Sequence, residues 1–182
     1  MKKIILTLLV ISATVLSCQP EEDKTVTVED KFSIVIPYRL LETDGLNENA
    51  TLQYEHAGKD FVLMVFEEEK EKAHEALNAA SIVLGEKKIP ENIDGYTNLL
   101  MQNYRETFSI SEEIEITDSL INDMPAKVAS FTGKSDDEEL YFLIGFIEGA
   151  QMYYRIVNFT LTSKEQDYKE KMKNIIYSIK EL

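Results

Sequence analysis

Apolar residues recur along the chain at two spacings, and each change of spacing marks the border of an element. Phe32-Ser33-Ile34-Val35-Ile36 alternates and is closed by Pro37, which predicts an edge or first strand. Ala50–His56 alternates as well. A turn at Ala57-Gly58-Lys59 follows, and then Phe61–Phe66 is apolar at every position. Two such runs joined by a tight glycine-containing turn make a hairpin, and the second partner is expected to be central because both its faces are apolar. The spacing then becomes helical: Ala73, Ala76, Leu77, Ala80 and Val83 lie on one stripe, with Gly85 placed to cap its end. A second helix begins near Pro90-Glu91-Asn92 and carries Ile93, Tyr96, Leu100, Tyr104 and Phe108.

Four extended runs come next, Glu113–Ile121, Ala126–Thr132, Leu140–Ile147 and Gln151–Leu161. The turn residues Asn122-Asp123, Ser135-Asp136-Asp137 and Glu148-Gly149 separate them. Connections this short force antiparallel neighbours. A last helix is predicted from Thr162-Ser163, with Glu165 and Gln166 as capping-box partners. Its stripe is Tyr168, Met172, Ile175, Ile176, Ile179 and Leu182. An antiparallel sheet whose central strands are buried on both faces needs helices on both faces. The expected fold is therefore α+β, a three-layer α/β/α sandwich around a mainly antiparallel sheet, with the last helix on one face and the helical middle segment on the other.

This order of strand, hairpin, helices, antiparallel meander and terminal helix resembles the PsbP-like fold of photosystem II extrinsic proteins and the related Ran-binding Mog proteins. Local text agrees. Phe32–Pro37 is similar to that family's opening F-x-I-x-x-P strand. Asn122-Asp123-Met124-Pro125-Ala126 resembles its G-x-P-A turn, with Asp123 in place of the usual glycine. Met152-Tyr153-Tyr154-Arg155-Ile156 resembles its late aromatic strand, and Ile175-Ile176-Tyr177-Ser178-Ile179 its closing helix. These are packing motifs spread over residues 30–182. What the resemblance implies is a fold and adaptor work on larger assemblies, with no chemistry.

The N-terminus changes the picture of where such a domain would work. Met1-Lys2-Lys3 precedes an apolar run from Ile4 to Ser17, a cationic head and apolar body of the length a secretory signal has. Ser12 and Thr14 interrupt the run and Gln19 ends it, short of the roughly 20 apolar residues a membrane-spanning helix needs. Val15-Leu16-Ser17-Cys18 resembles the lipobox of bacterial lipoproteins, although leucine usually stands one place earlier. The resemblance implies acylation of Cys18 and cleavage before it. A single cysteine makes no internal disulfide, and one flanked by Gln19-Pro20-Glu21-Glu22-Asp23 is badly placed for burial. The expected organisation is a signal over 1–17, an acidic tether over 18–30 and one domain over 31–182. The acids after Cys18 resemble the tether that directs some lipoproteins to the outer face of the outer membrane. Gln19 stands where an inner-membrane retention signal has aspartate. The expected location is thus the cell envelope, lipid-anchored, in the outer membrane, either periplasmic or surface-exposed.

Charge sharpens this. The chain carries 19 basic and 33 acidic residues, net −14, and loss of Lys2 and Lys3 with the signal would take it to −16. So acidic a body is repelled by nucleic acid and by anionic headgroups, so lipid alone would hold it to a membrane.

Catalytic hardware is sparse. His56 and His74 lack a second histidine or cysteine at zinc spacing, and no H-E-x-x-H, G-x-S-x-G, Walker loop or G-x-G-x-x-G is present. His74 is expected on an exposed, solvated helix face. Asp136, Asp137, Glu138 and Glu139 on a hairpin loop are the sharpest candidates for a divalent cation, but they are consecutive and lack an EF-hand's glycine. Tyr153 and Tyr154 point to opposite faces of one strand; with Tyr104 they are candidates for lining a ligand or partner patch, but core packing is the favoured use of Tyr153-Tyr154. These observations predict a non-enzymatic interaction or accessory module without a cofactor, bound to an envelope protein. The alternative is a small-ligand carrier with a pocket between the sheet and the Ile93–Phe108 helix.

Overall fold

The computed structural model describes residues 22–85, 88–110, 113–135 and 138–182. The signal segment, Cys18, Asp136 and Asp137 lie outside the described residues. In chain order the elements are β1 (Lys24–Val28), β2 (Phe32–Ile36), β3 (Leu40–Glu42), β4 (Leu52–His56), β5 (Phe61–Glu69), α1 (Lys70–Leu84), α2 (Ile93–Thr107), β6 (Ser109–Ile110) and β7 (Glu115–Ile121). They are followed by β8 (Met124–Ser135), β9 (Glu138–Glu148), β10 (Met152–Leu161), a short 3-10 turn over Thr162–Lys164, α3 (Glu165–Ser178) and β11 (Lys180–Glu181).

The main sheet runs β3-β4-β5-β10-β9-β8, with β6 and β7 both on the outer edge of β8, and every pairing is antiparallel. β5, β10 and β9 are central, as their continuous apolar runs require. Side-chain alternation sends Leu63, Val65, Leu143, Tyr154 and Ile156 to one face, where Met172, Ile175 and Ile176 of α3 cover them. Phe66, Phe142, Ile144, Phe146 and Tyr153 go to the other face, under Ala73 of α1 and Tyr96 and Met101 of α2. The fold is α+β, with helices on both faces of an antiparallel sheet.

Several local details depart from the sequence reading. Residues 24–28, expected within the tether, form β1. β2 is then the middle strand of a separate three-stranded sheet, β1-β2-β11, and not an edge. This small sheet packs Phe32, Ile34 and Ile36 beside α3, completing the cover of that face. On α1 the buried stripe is Ala73, Leu77 and Ser81, while Ala76 and Val83 are exposed. Polar Ser81 can enter the core because its Oγ donates to the carbonyl of Leu77 and accepts the amide of Ile89. The capping box at Thr162-Ser163 is not formed: a 3-10 turn intervenes and α3 starts without a side-chain cap. Leu182 leaves the apolar stripe because α3 ends at Ser178 and the chain turns extended to pair with β2.

Other signals act as expected. Gly85 takes φ +65° and returns its amide to the carbonyls of Ser81 and Ile82. Asn92 caps α2, its side chain accepting the amides of Asp94 and Gly95. Asn122 and Asp123 both have positive φ, 48° and 68°, as a two-residue hairpin of this twist needs. Asp123 fills the place of the resemblance's glycine because aspartate tolerates that conformation better than most residues.

Candidate functional site

Two concavities flank the sheet, one on each face. The first is a cleft of about 400 Å³ on the α3 face, between the chain that links β2 to β3, the β4–β5 hairpin and α3. Its floor is apolar, from Val35, Leu40, Phe61 and Ile175, and its rim is polar. His56 donates from Nδ1 to Asp60 Oδ1 at 2.6 Å, and the Tyr168 hydroxyl donates to Asp60 Oδ2 at 3.2 Å. The Thr160 hydroxyl bonds to the Asp60 carbonyl. Burial alone would push the Asp60 carboxyl up, but the His56 and Tyr168 hydrogen bonds outweigh it and hold Asp60 below the usual carboxylate range. The same burial, reinforced by the Asp60 charge, raises the Tyr168 phenol, which stays neutral.

Two cations complete the rim. Arg39 Nε donates to the Tyr38 hydroxyl at 2.6 Å, and Lys171 Nζ lies 5.0 Å above the Tyr168 ring. Neither has a carboxylate partner among the described residues, in a chain rich in acids. Asp23 also reaches this cleft and accepts the Tyr38 amide at 3.2 Å, so the N-terminal segment enters the fold at the cleft's edge.

The second concavity is a pocket of about 270 Å³ between α2 and the sheet. Leu100 and Tyr104 of α2 roof it, and Phe66, Phe142, Val157 and Phe159 form its base. Arg155 stands among them. Its Cζ is 4.2 Å from the centre of the Phe66 ring, its direct cross-strand neighbour on β5, and its Nε is buried without an acceptor. Burial raises the Tyr104 phenol, partly offset by the Arg155 charge, so Tyr104 is a neutral hydroxyl beside a guanidinium.

The residues singled out from sequence are dispersed. Tyr153 and Tyr154 do point to opposite faces, and both are core, 0 % and 1 % exposed. The Tyr153 hydroxyl meets His74 Nε2 at 3.2 Å, and its ring stacks on Tyr96 with centroids 4.3 Å apart. Burial above all, with Glu148 and Glu91 adding, pushes its phenol up to about 12. The Tyr154 hydroxyl donates to Glu181 Oε1 at 3.0 Å. Neither lines either of these two concavities; of the three tyrosines only Tyr104 does. His74 is half-buried between Tyr153 and Glu91, and so is not the solvated residue expected. Glu138 and Glu139 are exposed at the start of β9, opposite Ser135 and Lys134, and no group of three or more possible metal ligands converges among the described residues. No helix of the described residues is long and apolar enough to cross a membrane.

Sequence reasoning missed Arg39, Asp60, Lys171 and Arg155. Arg155 had a legible signal: it is the one charge within the mostly apolar run Met152–Leu161. The other three lie in loops or on an exposed helix face, where a charge is unremarkable by itself.

Compared by sequence, the chain matches no family model and no curated protein. Solved structures do match it. The solution structure of cyanobacterial PsbP (CyanoP) from Synechocystis sp. PCC 6803 superposes with a TM-score of 0.56 at 8% identity, over 91% of this chain and 96% of that one. The Ran-binding protein Mog1p of Saccharomyces cerevisiae gives 0.54 at 7% identity, over 88% of this chain and 95% of that one. At such identities the likeness lies in the backbone, in the order and pairing of the strands and the placing of the helices on them. That backbone is the PsbP-like fold.

Proposed function

We propose that this protein is a lipid-anchored, non-enzymatic interaction module of the cell envelope. The observation that carries the reading is the shared fold: one protein built on it is described as Ran-binding, so the scaffold is one on which a protein partner can be held. The sequence adds the place. The lipobox-like Val15–Cys18 would give a lipid at Cys18, in an outer-membrane lipoprotein that is periplasmic or surface-exposed. Five residues on from Cys18, Asp23 borders the α3-face cleft, and a chain of that length spans at most about 17 Å. The anchor would therefore keep the cleft and its two unpaired cations, Arg39 and Lys171, close to the membrane surface. Acidic side chains of a partner are what Arg39 and Lys171, without a carboxylate partner among the described residues, would pair with.

Cys18→Ser separates the two parts of the reading. The wild-type chain is expected to incorporate labelled fatty acid and to sediment with envelopes; the variant should do neither. Label retained in the variant removes the anchor. In intact cells, crosslinking from position 38 should give one recurrent partner that is lost when Arg39 and Lys171 are both changed to Glu. Recovery of the protein alone removes the interaction role.

A further inference from the structure

The pocket under α2 has a feature that the interaction reading leaves unused. Arg155 belongs to β10, a central strand, and it faces the same side as Tyr153, Val157 and Phe159. A guanidinium has five N–H donors and no acceptor. Nε is buried and has no partner, and among the described residues Arg155 makes neither a hydrogen bond nor an ion pair. The Phe66 ring stabilises the charge through its face but takes up none of those donors as a full hydrogen bond would. Neighbouring tyrosines do not neutralise it either, since burial keeps Tyr104 and Tyr96 protonated. Lys70 and Glu148, by contrast, meet at 2.8 Å, and the second Glu148 oxygen takes the Ile93 amide. Arg155 as a whole is half-buried, and Glu68, whose charge also acts on Tyr96, forms no ion pair with it, so a carboxylate in the pocket would supply the acceptor that the protein withholds from Nε.

We propose that the pocket between α2 and the sheet binds a small aromatic carboxylate, with Arg155 as its anion anchor. Three observations select that class. The planar fork of an arginine matches the two oxygens of a carboxylate. A doubly charged phosphate would need a second cation, and Arg155 is the only Lys or Arg among the residues lining the pocket. The walls are ring faces and edges: Phe142 lies 4.8 Å from Phe108 and 5.5 Å from Phe159, and Tyr104 lies 6.5 Å from Phe142, so an aromatic body finds partners on several sides. The volume of about 270 Å³ lies just below the usual range for ligand sites and suits a body of one ring. Asn103 and Thr107, exposed on α2 at the mouth, leave an entry that needs no strand to move.

Titration of the full-length chain with phenylacetate and with its neutral isostere phenylacetamide, followed by calorimetry and by amide chemical shifts, tests the assignment without any substitution. Phenylacetate is expected to bind about ten-fold tighter or better, a difference of about 1.4 kcal/mol, and to shift amides of α2 and β10. Equal affinity for the two compounds, or no binding of either at millimolar concentration, overturns the proposal. Arg155→Gln should abolish the preference and leave phenylacetamide unaffected, while Arg155→Lys should keep part of it. A folded Arg155→Gln variant that still prefers the carboxylate also overturns it. The wild-type comparison decides the matter even if the glutamine variant fails to fold.

Discussion

On the α3 face of the sheet, Asp60 is met by His56, Tyr168 and Thr160, whereas on the opposite face Arg155 is met only by the ring of Phe66. Both are ionic groups drawn in from solvent beside a concavity. The first is satisfied by the protein itself, and its neighbours belong to three distant segments: the β4–β5 hairpin, the end of β10 and α3. The second has an aromatic surround that offers dispersion and a quadrupole but no acceptor. The contrast separates two uses of a half-buried charge. Asp60 ties elements together and should contribute to stability. Arg155 costs stability or breaks even, and so is the better candidate for recognising something that arrives from outside.

The packing that frames each side gives the largest expected effects. Phe142 anchors the aromatic face, with Phe131 stacked on it at 4.8 Å and Phe108 and Phe159 around it. Phe142→Ala is expected to lower unfolding free energy by about 3–5 kcal/mol in urea denaturation. On the other face, α3 rests directly on Gly145, where an added Cβ would come 2.6 Å from Ile176 Cγ2. Gly145→Ala should cost about 1–3 kcal/mol through the displacement of α3. A neutral result would mean that the helix slides freely on the sheet.

The charged groups themselves sharpen the comparison. The Asp60 carboxyl is lowered in the folded state, so its contribution is present above the unfolded carboxylate value and is lost as pH falls through the folded one. Asp60→Asn should therefore lose about 1–2 kcal/mol near pH 7, a difference that closes below about pH 4. A gap independent of pH would assign the effect to packing. Arg155→Met, without ligand, is expected to change stability least, by less than about 1 kcal/mol in either direction. A loss above about 2 kcal/mol would reveal an internal partner for Arg155 and dissolve the contrast.

Much of the architecture was legible because the signals are local. The continuous runs Phe61–Phe66 and Leu140–Ile147 required central strands, and Asn92, Gly85 and Asn122-Asp123 punctuated the chain where the structure breaks it. Where the reading slipped, a non-local contact had outweighed a local preference. Lys24–Val28 looks like linker, yet it becomes a strand because Phe32–Ile36 offers it an edge. The pattern at Thr162-Ser163 invites a capping box, but the chain leaves β10 through a 3-10 turn before α3 begins. The tyrosines are core, as their pattern favoured, but their polar partners were not legible. His74 and Glu181, distant in sequence, complete the hydroxyls of Tyr153 and Tyr154.

Periodicities of two and of 3.6 residues belong to a single segment, so the sequence alone determined the central strands, the three helices, the two buried faces and hence the layers. The two concavities are another matter. Arg39, His56, Tyr168 and Lys171 meet across more than half the chain, and Arg155 meets Phe66 only through strand register. Whether a charge finds a partner depends on what the folded chain brings within hydrogen-bonding distance, a property no segment carries by itself.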